Sequence, residues 1–311
     1  MKVLAISGGS KNGNNDAMAR EALMGAESQG AQVEFIRLHD LELKACTGCI
    51  ACVKSLMGGN NGDCILKDDF NWLDEKIFQA DGIIFVMPVF EKGSPGVMHV
   101  LQDRRFGPAY DPGPCTVAKK IAEKKGTAGP DSRKFVPKLV SYIGIGGSDW
   151  VTRFSADMNL TAMTGCWKVI DDVVFTWAKC AVMDDSIVRK CNEIGVNMAE
   201  AIDVGLEKAV YKGDPGVCPL CHCRNFHIAN DPKETICVVC GMVGELQTMD
   251  GKVVFVVEQE QYEHAHTLMP GKMKHMDDIY KNETHLMELK KTPEYKERME
   301  KYEKFLQAVK P

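Results

Sequence analysis

Cysteine spacing carries the first chemistry. Cys46, Cys49 and Cys52 follow a C-x2-C-x2-C pattern, and Cys64 comes after eleven intervening residues. Much later, Cys218-x2-Cys221 and Cys237-x2-Cys240 make two knuckles separated by fifteen residues. Three cysteines at intervals of three can hold successive corners of an iron–sulfur cube while a fourth ligand arrives from a distance. A [4Fe-4S] cluster is therefore the first reading of the early set, with free thiols or zinc as alternatives. Paired knuckles suit one tetrahedral metal on four thiolates, either structural zinc, the preferred reading, or rubredoxin-type iron in the same geometry. His222 and Cys223 adjoin the first knuckle, but a completed four-cysteine site needs neither. Cys115, Cys166, Cys180 and Cys191 have no activating neighbour in the sequence and read as ordinary thiols.

A second chemistry-bearing stretch is Ser7-Gly8-Gly9-Ser10-Lys11-Asn12-Gly13-Asn14-Asn15. Small residues let its amides converge on an anion, Ser and Asn add donors, and a helix follows with its positive end on the same spot. It lacks the Gly-Lys-Ser/Thr of a nucleoside-triphosphate loop and the spacing of G-x-G-x-x-G. A monophosphate is the better fit, which suggests FMN. Met87-Pro88-Val89-Phe90 and Gly144-Ile145-Gly146-Gly147-Ser148 are two further loops suited to a flat ring.

Apolar runs of strand length alternate with helical patterns and must position these loops. Strands are expected at Val3–Ile6, Val33–Ile36, Gly82–Val86, Leu139–Ile145 and Val169–Phe175. Helices are expected at Ala17–Ser28, Phe70–Gln79, near Pro95–Arg105, and from Asp185 to Val210. That alternation makes an α/β fold, a doubly wound five-stranded parallel sheet with its ligand at the carboxyl ends of the strands. The 107–137 stretch is a Gly/Pro-rich excursion around a short helix at Val117–Lys125, either a lid or partner contact or a plain surface loop. Lys212–Gly216 reads as the boundary that stops the long helix. Lys252–Glu258 reads as a strand, and Ile279–Val309 as a charged amphipathic helix interrupted near Thr292-Pro293. Its apolar residues, among them Leu286, Leu289, Met299 and Tyr302, suit packing on the domain or on another subunit. His264, His266 and His275 read as a solvated linker, with a soft-metal site as the alternative.

Taken together, these segments resemble the flavodoxin-like NADPH-dependent FMN reductases, and among them the iron–sulfur flavoproteins. The likeness rests on the Ser7–Asn15 loop, on Pro88-Val89-Phe90 followed by Asp103-Arg104, and on the cysteine segment ending in Cys64-x3-Asp68-Asp69. It implies FMN held by Ser7, Ser10, Lys11, Asn12, Gly13, Asn14, Asn15, Pro88, Val89, Phe90, Gly144, Gly146 and Gly147. It also implies a cluster on Cys46, Cys49, Cys52 and Cys64. The glycine-rich insert 58–62 would have to fold outward to leave Cys64 in reach. The expected organisation is a flavodoxin-like domain at 1–212 with its cluster loop at 44–66. A four-cysteine zinc-ribbon or rubredoxin-like module on Cys218, Cys221, Cys237 and Cys240 follows at 213–258, then a linker and helix at 259–311.

The expected function is an FMN oxidoreductase that takes electrons from NAD(P)H or a small carrier to a small-molecule acceptor or electron-carrier protein. The alternative is a non-catalytic electron-transfer protein docking through the ribbon. Trp150 is a candidate wall of the substrate pocket and Tyr110 a candidate proton donor. A net charge of −5 argues against nucleic acid. The longest apolar stretch, 82–90, is too short to cross a membrane. Thirteen cysteines with no export signal point to a reducing cytoplasm, and the family likeness implies a homo-oligomer, dimer or tetramer.

Overall fold

Val3, Leu4, Ala5 and Ile6 are fully buried, as an apolar run must be when helices cover both faces of a parallel sheet. In the computed structural model, which describes residues 1–309, they form β1 (Lys2–Ser7). Positions 310 and 311, the end of the expected C-terminal extension, lie outside the described residues. Strand β1 pairs in parallel with β2 (Gln32–Arg37) and β3 (Gly82–Pro88). Strands β4 (Leu139–Ile145) and β5 (Lys168–Phe175) complete a five-stranded sheet in the order β2-β1-β3-β4-β5. This is the flavodoxin-like order, whose reversal between β1 and β3 opens a ligand crevice at the carboxyl edge.

Helices α1 (Asn14–Ser28) and α7 (Asp185–Val204) cover one face through Met18, Ala22, Ile194 and Met198. Helices α3 (Phe70–Gln79), α4 (Gly96–Arg105) and α6 (Phe154–Gly165) cover the other through Leu73, Ile77, Leu101 and Met158. Helix α7 stops earlier than the apolar spacing suggests. Gly205 takes φ 86°, a backbone that ends the helix at little cost only in glycine. The chain then runs along β5, where the Lys212 N–H donates to the Ile170 carbonyl at 2.7 Å.

The 107–137 excursion is a buttress. Helix α5 (Pro112–Lys125) packs on α2 (Ala51–Met57), a short helix inside the cysteine-rich loop. The glycine-rich insert packs against it, with Gly59 and Gly62 buried rather than folded outward. Thr127 Oγ1 donates to the Gly59 carbonyl at 2.6 Å, and the Asp131 N–H donates to Asn61 Oδ1 at 2.8 Å. Tyr110 is buried in the same region and donates to Asp74 at 2.8 Å. Its neighbours Phe70 and Phe78 make it a core residue, which overturns its role as a substrate proton donor.

Four antiparallel strands follow in chain order: β6 (Phe226–His227), β7 (Thr235–Cys237), β8 (Val243–Met249) and β9 (Lys252–Val256). The final helices are α8 (Met269–Lys291) and α9 (Pro293–Phe305). Helix α8 begins ten residues before the expected Ile279 because Lys272 is buried there, paired with Asp111 at 2.6 Å. The histidine segment is therefore a tether rather than a solvated linker, and the His266 N–H donates to the Cys240 carbonyl at 2.8 Å. Among the described residues, no helix is long and apolar enough to cross a membrane.

Candidate functional site

The loop after β1 is braced from within by one residue that sequence reasoning missed. Asp16, buried in the first turn of α1, accepts from Ser7 Oγ at 2.6 Å and from the Asn12 N–H at 2.8 Å. The loop closes so tightly that a Cβ on Gly9 would lie 2.5 Å from the Asn15 Cβ. Asn14 is also committed: its Nδ2 donates to the Lys179 carbonyl at 2.6 Å and its Oδ1 accepts from the Val182 N–H at 3.4 Å. Two other features are unspent. Helix α1 begins at Gly13 with no side-chain cap, and Asn15 Nδ2 is buried with no partner in the protein. Free amides at a helix start and an orphan donor beside them fit a phosphate. Ser10, Lys11, Asn12, Gly13 and Asn15 would hold it, with Ser7 and Asn14 shaping the loop.

Two further loops meet at the same edge. The Val89 N–H donates to the Ile145 carbonyl at 3.1 Å, joining the loop after β3 to the end of β4. The Gly146 N–H donates to the Phe175 carbonyl at 2.8 Å, joining the next loop to β5. Glu91 and Lys92 take left-handed φ of 45° and 72°, and Trp177, after β5, takes 55°. Such backbone is costly for side chains larger than glycine and persists only where the surroundings hold it. Here the Phe90–Gly93 backbone pair and a bond from the Arg153 N–H to the Lys92 carbonyl do so. Three aromatic side chains project from this edge, Phe90, Trp150 and Trp177, exposed by 61, 65 and 71%. The Lys92 ammonium sits 5.4 Å from the centre of the Trp150 ring. Pro88, Val89, Phe90, Gly146 and Gly147 thus lie at the same carboxyl edge as the loop after β1 and would border a flavin bound there, while Gly144 is buried within β4.

Cys46, Cys49, Cys52 and Cys64 lie in and around α2, the helix that α5 packs on. Cys46 and Cys49 are exposed; Cys52, in α2, and Cys64 are partly buried. Cys52 is raised by burial and by the neighbouring thiols Cys64 and Cys46. Cys49 is lowered by hydrogen bonds from the Ala51 N–H and Thr47. Cys64 is near enough for its charge to act on Cys52 despite the eleven residues between them. Among the described residues the early set is not one whose ligand atoms converge within 4.8 Å of one another.

The second set converges. The ligand atoms of Cys218, Cys221, Cys237 and Cys240 all lie within 4.8 Å of one another, with Cys218–Cys240 at 3.6 Å and Cys221–Cys237 at 3.5 Å. Four sulfurs each about 2.3 Å from one ion stand about 3.8 Å apart, so the set fits a single tetrahedral metal. The knuckles match: the Cys218 and Cys237 N–H groups donate to the Cys223 and Met242 carbonyls, each at 3.0 Å. Cys223 thus occupies the packing position that Met242 fills in the other knuckle. The residue after each second cysteine is left-handed, Gly241 at 76° and His222 at 60°. His222 is held there by its stack on Tyr211, ring centres 3.8 Å apart, and by a 3.1 Å contact from Nδ1 to the Pro215 carbonyl.

Asp172 lies in the cleft between this ribbon and β5, with Tyr211, His222 and Arg224. Burial pushes its carboxyl up to about 6, against hydrogen bonds from Ser155 and Asn159. A carboxyl raised above its unfolded value of about 3.9 stabilises the fold when protonated; that contribution is whole below about pH 4 and lost as pH rises through about 6. Asp172→Asn should therefore gain about 2 kcal/mol relative to wild type at pH 7 compared with pH 4. Urea unfolding at both pH values measures this, and an equal difference at both would refute it.

A doubly wound sheet with an anion cradle after its first strand and two flat loops at the same edge defines a flavodoxin-like flavin-binding protein. Known proteins agree. The family model for NADPH-dependent FMN reductase matches residues 1–122. A solved structure of a flavone reductase is 43% identical, with each chain covered over 100% of its length and a TM-score of 0.89. The flavone synthase cfoJ of Aspergillus candidus is 26% identical over 291 residues, 90% of this chain and 88% of that protein. An iron–sulfur flavoprotein of Methanocaldococcus jannaschii is 38% identical over 105 residues, 33% of this chain and 51% of that protein. The chain belongs to the NADPH-dependent FMN reductase and iron–sulfur flavoprotein family, and it is an NAD(P)H-dependent FMN oxidoreductase.

Proposed function

We propose that this oxidoreductase reduces flat, conjugated carbonyl compounds of the flavone type. The observation that carries this reading is the full-length similarity to a flavone reductase, ribbon and terminal helices included. The aromatic rim supports it, because Phe90, Trp150 and Trp177 offer broad apolar surface to a planar molecule lying over the crevice. In the reaction, NAD(P)H is oxidised to NAD(P)+, and a hydride and a proton add across the carbon–carbon double bond conjugated to the carbonyl. Bound FMN supplies the hydride transfer. The chain's own residues hold the phosphate, fix the ring plane and stack the substrate. Lys92, above Trp150, is placed to donate a hydrogen bond to a substrate oxygen.

We further assign a [4Fe-4S] cluster to Cys46, Cys49, Cys52 and Cys64, and zinc to the ribbon cysteines. The free thiols support a reducing, cytoplasmic setting. Homo-oligomerisation is supported by the outward apolar residues of α8 and α9, among them Met287, Met299 and Phe305.

Protein purified without oxygen should contain FMN, about four iron and four sulfide per chain, and one zinc. It should consume a flavone with matching oxidation of NAD(P)H. Trp150→Ala should lower kcat/KM for the flavone about tenfold, mostly through KM, since lost stacking is ground-state binding. Oxidation of NAD(P)H with quinones but with no flavone tested would overturn the substrate class. Flavin reduction only by protein donors would favour the electron-carrier alternative.

A further inference from the structure

We propose that Arg104 is a positioning residue for the cysteine loop: it places Cys64 as the fourth ligand and raises the potential of the cluster held there. This rests on the [4Fe-4S] reading of the early cysteine set. Arg104 lies in the last turn of α4 with its side chain 1% exposed, against Asp68 at 0%. Its Nη1 contacts Asp68 and donates to the Lys44 carbonyl at 3.1 Å. Its Nη2 donates to Asp68 Oδ1 at 3.1 Å and to Cys64 Sγ at 3.5 Å. Asp68 in turn accepts from the Lys44 N–H at 2.8 Å and from the Phe70 N–H at 3.2 Å.

One guanidinium thus ties the entry of the loop, two residues before Cys46, to its exit at Cys64 and Asp68. A buried ion pair is a poor way to gain stability, because desolvating both charges offsets most of the attraction. Apolar residues would serve packing alone, and the Phe70 ring already lies 4.2 Å beneath the guanidinium. What an apolar pair lacks is a donor aimed at a ligand sulfur. Hydrogen bonds to cluster sulfurs favour the more negative, reduced state and raise the potential. The geometry also specifies arginine, since a lysine ammonium can neutralise Asp68 but lacks the planar fork that spans carboxylate and sulfur together. The Nε–H of Arg104 is buried without a protein acceptor, so a donor remains unspent beside the loop.

The test uses the full chain prepared without oxygen, with FMN, iron and sulfide measured before an EPR-monitored redox titration. Arg104→Lys preserves the charge against Asp68. It should keep FMN and iron while lowering the cluster potential, so that the reduced-to-oxidised ratio at the wild-type midpoint falls about tenfold, or 59 mV for one electron. Arg104→Gln, with FMN retained, should lose iron, and Cys64→Ser should alter the EPR signal. Arg104→Lys with iron and potential both unchanged would make Arg104 a purely structural residue and overturn the proposal, leaving the cluster reading intact. An unchanged EPR signal in Cys64→Ser would overturn it as well. Wild-type protein with FMN but no iron or sulfide would remove the cluster reading itself.

Discussion

Gly9→Ala should empty the flavin site at micromolar FMN while leaving the sheet folded. The added methyl would stand 2.5 Å from the Asn15 Cβ. Either the loop opens or Asn15 turns away, and the second response removes the one buried amide donor of this loop that has no protein partner. Overpacking of this kind costs about 1–3 kcal/mol, which alone weakens binding roughly tenfold to hundredfold. Loss of converging amides adds to that, so a loss of about hundredfold or more in FMN affinity is expected. Gly107→Ala is the matched control, because its methyl would meet only the Asp103 carbonyl at 3.4 Å. Flavin fluorescence titration reads both variants, and circular dichroism reports the fold. Equal affinities would mean that the loop after β1 does not hold the cofactor.

Cys240→Ser, or a strong chelator at neutral pH, should unfold the ribbon and release the helical extension together. A four-thiolate site contributes folding energy outright, with apparent values of about 10–16 kcal/mol for small zinc modules. Hydrogen bonds from Cys218 and Cys221 hold the Cys237 thiol low, while bonding to Cys218 drives Cys240 upward. Without a cation the four sulfurs cannot all be thiolates. The damage should travel, because the Cys240 carbonyl accepts from His266 and that segment leads directly into α8. Hydrogen exchange should therefore show amides between 213 and 276 losing protection together, with those of β1, β3 and β4 unaffected. Protection that survived complete metal removal would show that the strands β6–β9 fold without it. Metal analysis before and after chelation separates the two: loss of about one zinc per chain with the ribbon assigns zinc, loss of iron assigns iron.

Elements with undiluted periodicity are legible at residue resolution. Leu139–Ile145 is buried at every position, and Phe70–Gln79 places Leu73, Ile77 and Phe78 on one face. Helix α6 is hidden from a periodicity argument because Phe154, Ala156, Met158, Thr161 and Ala162 are all buried and leave no polar stripe to set a period. Helix α7 reads too long in sequence because Leu206, Ala209 and Val210 continue the apolar spacing past Gly205. Leu206 and Ala209 do pack on the core, but from chain outside the helix. The cysteines of both sets are visible because their chemistry depends on spacing. Asp16 and Trp177 are not, and Arg104 is visible only as part of the Asp103-Arg104 motif and not for its contacts, since each acts through residues or loops that only the fold brings near. Asp68, for example, stands 36 positions from Arg104. Tyr110 misleads for a related reason: the 107–137 excursion looks solvent-facing in composition, yet it folds back over Phe70 and Phe78.

Strand β5 ends its sheet, and a bare terminal strand is an invitation to pair with a neighbouring molecule. In this chain the Lys212 N–H occupies the Ile170 carbonyl, and the ribbon stands over Asp172. The segment after α7 and the four-cysteine ribbon therefore also cover the edge of this sheet. A truncated protein ending at Val204 would retain every flavin loop, yet it would uncover that strand and should precipitate or stack into open-ended assemblies.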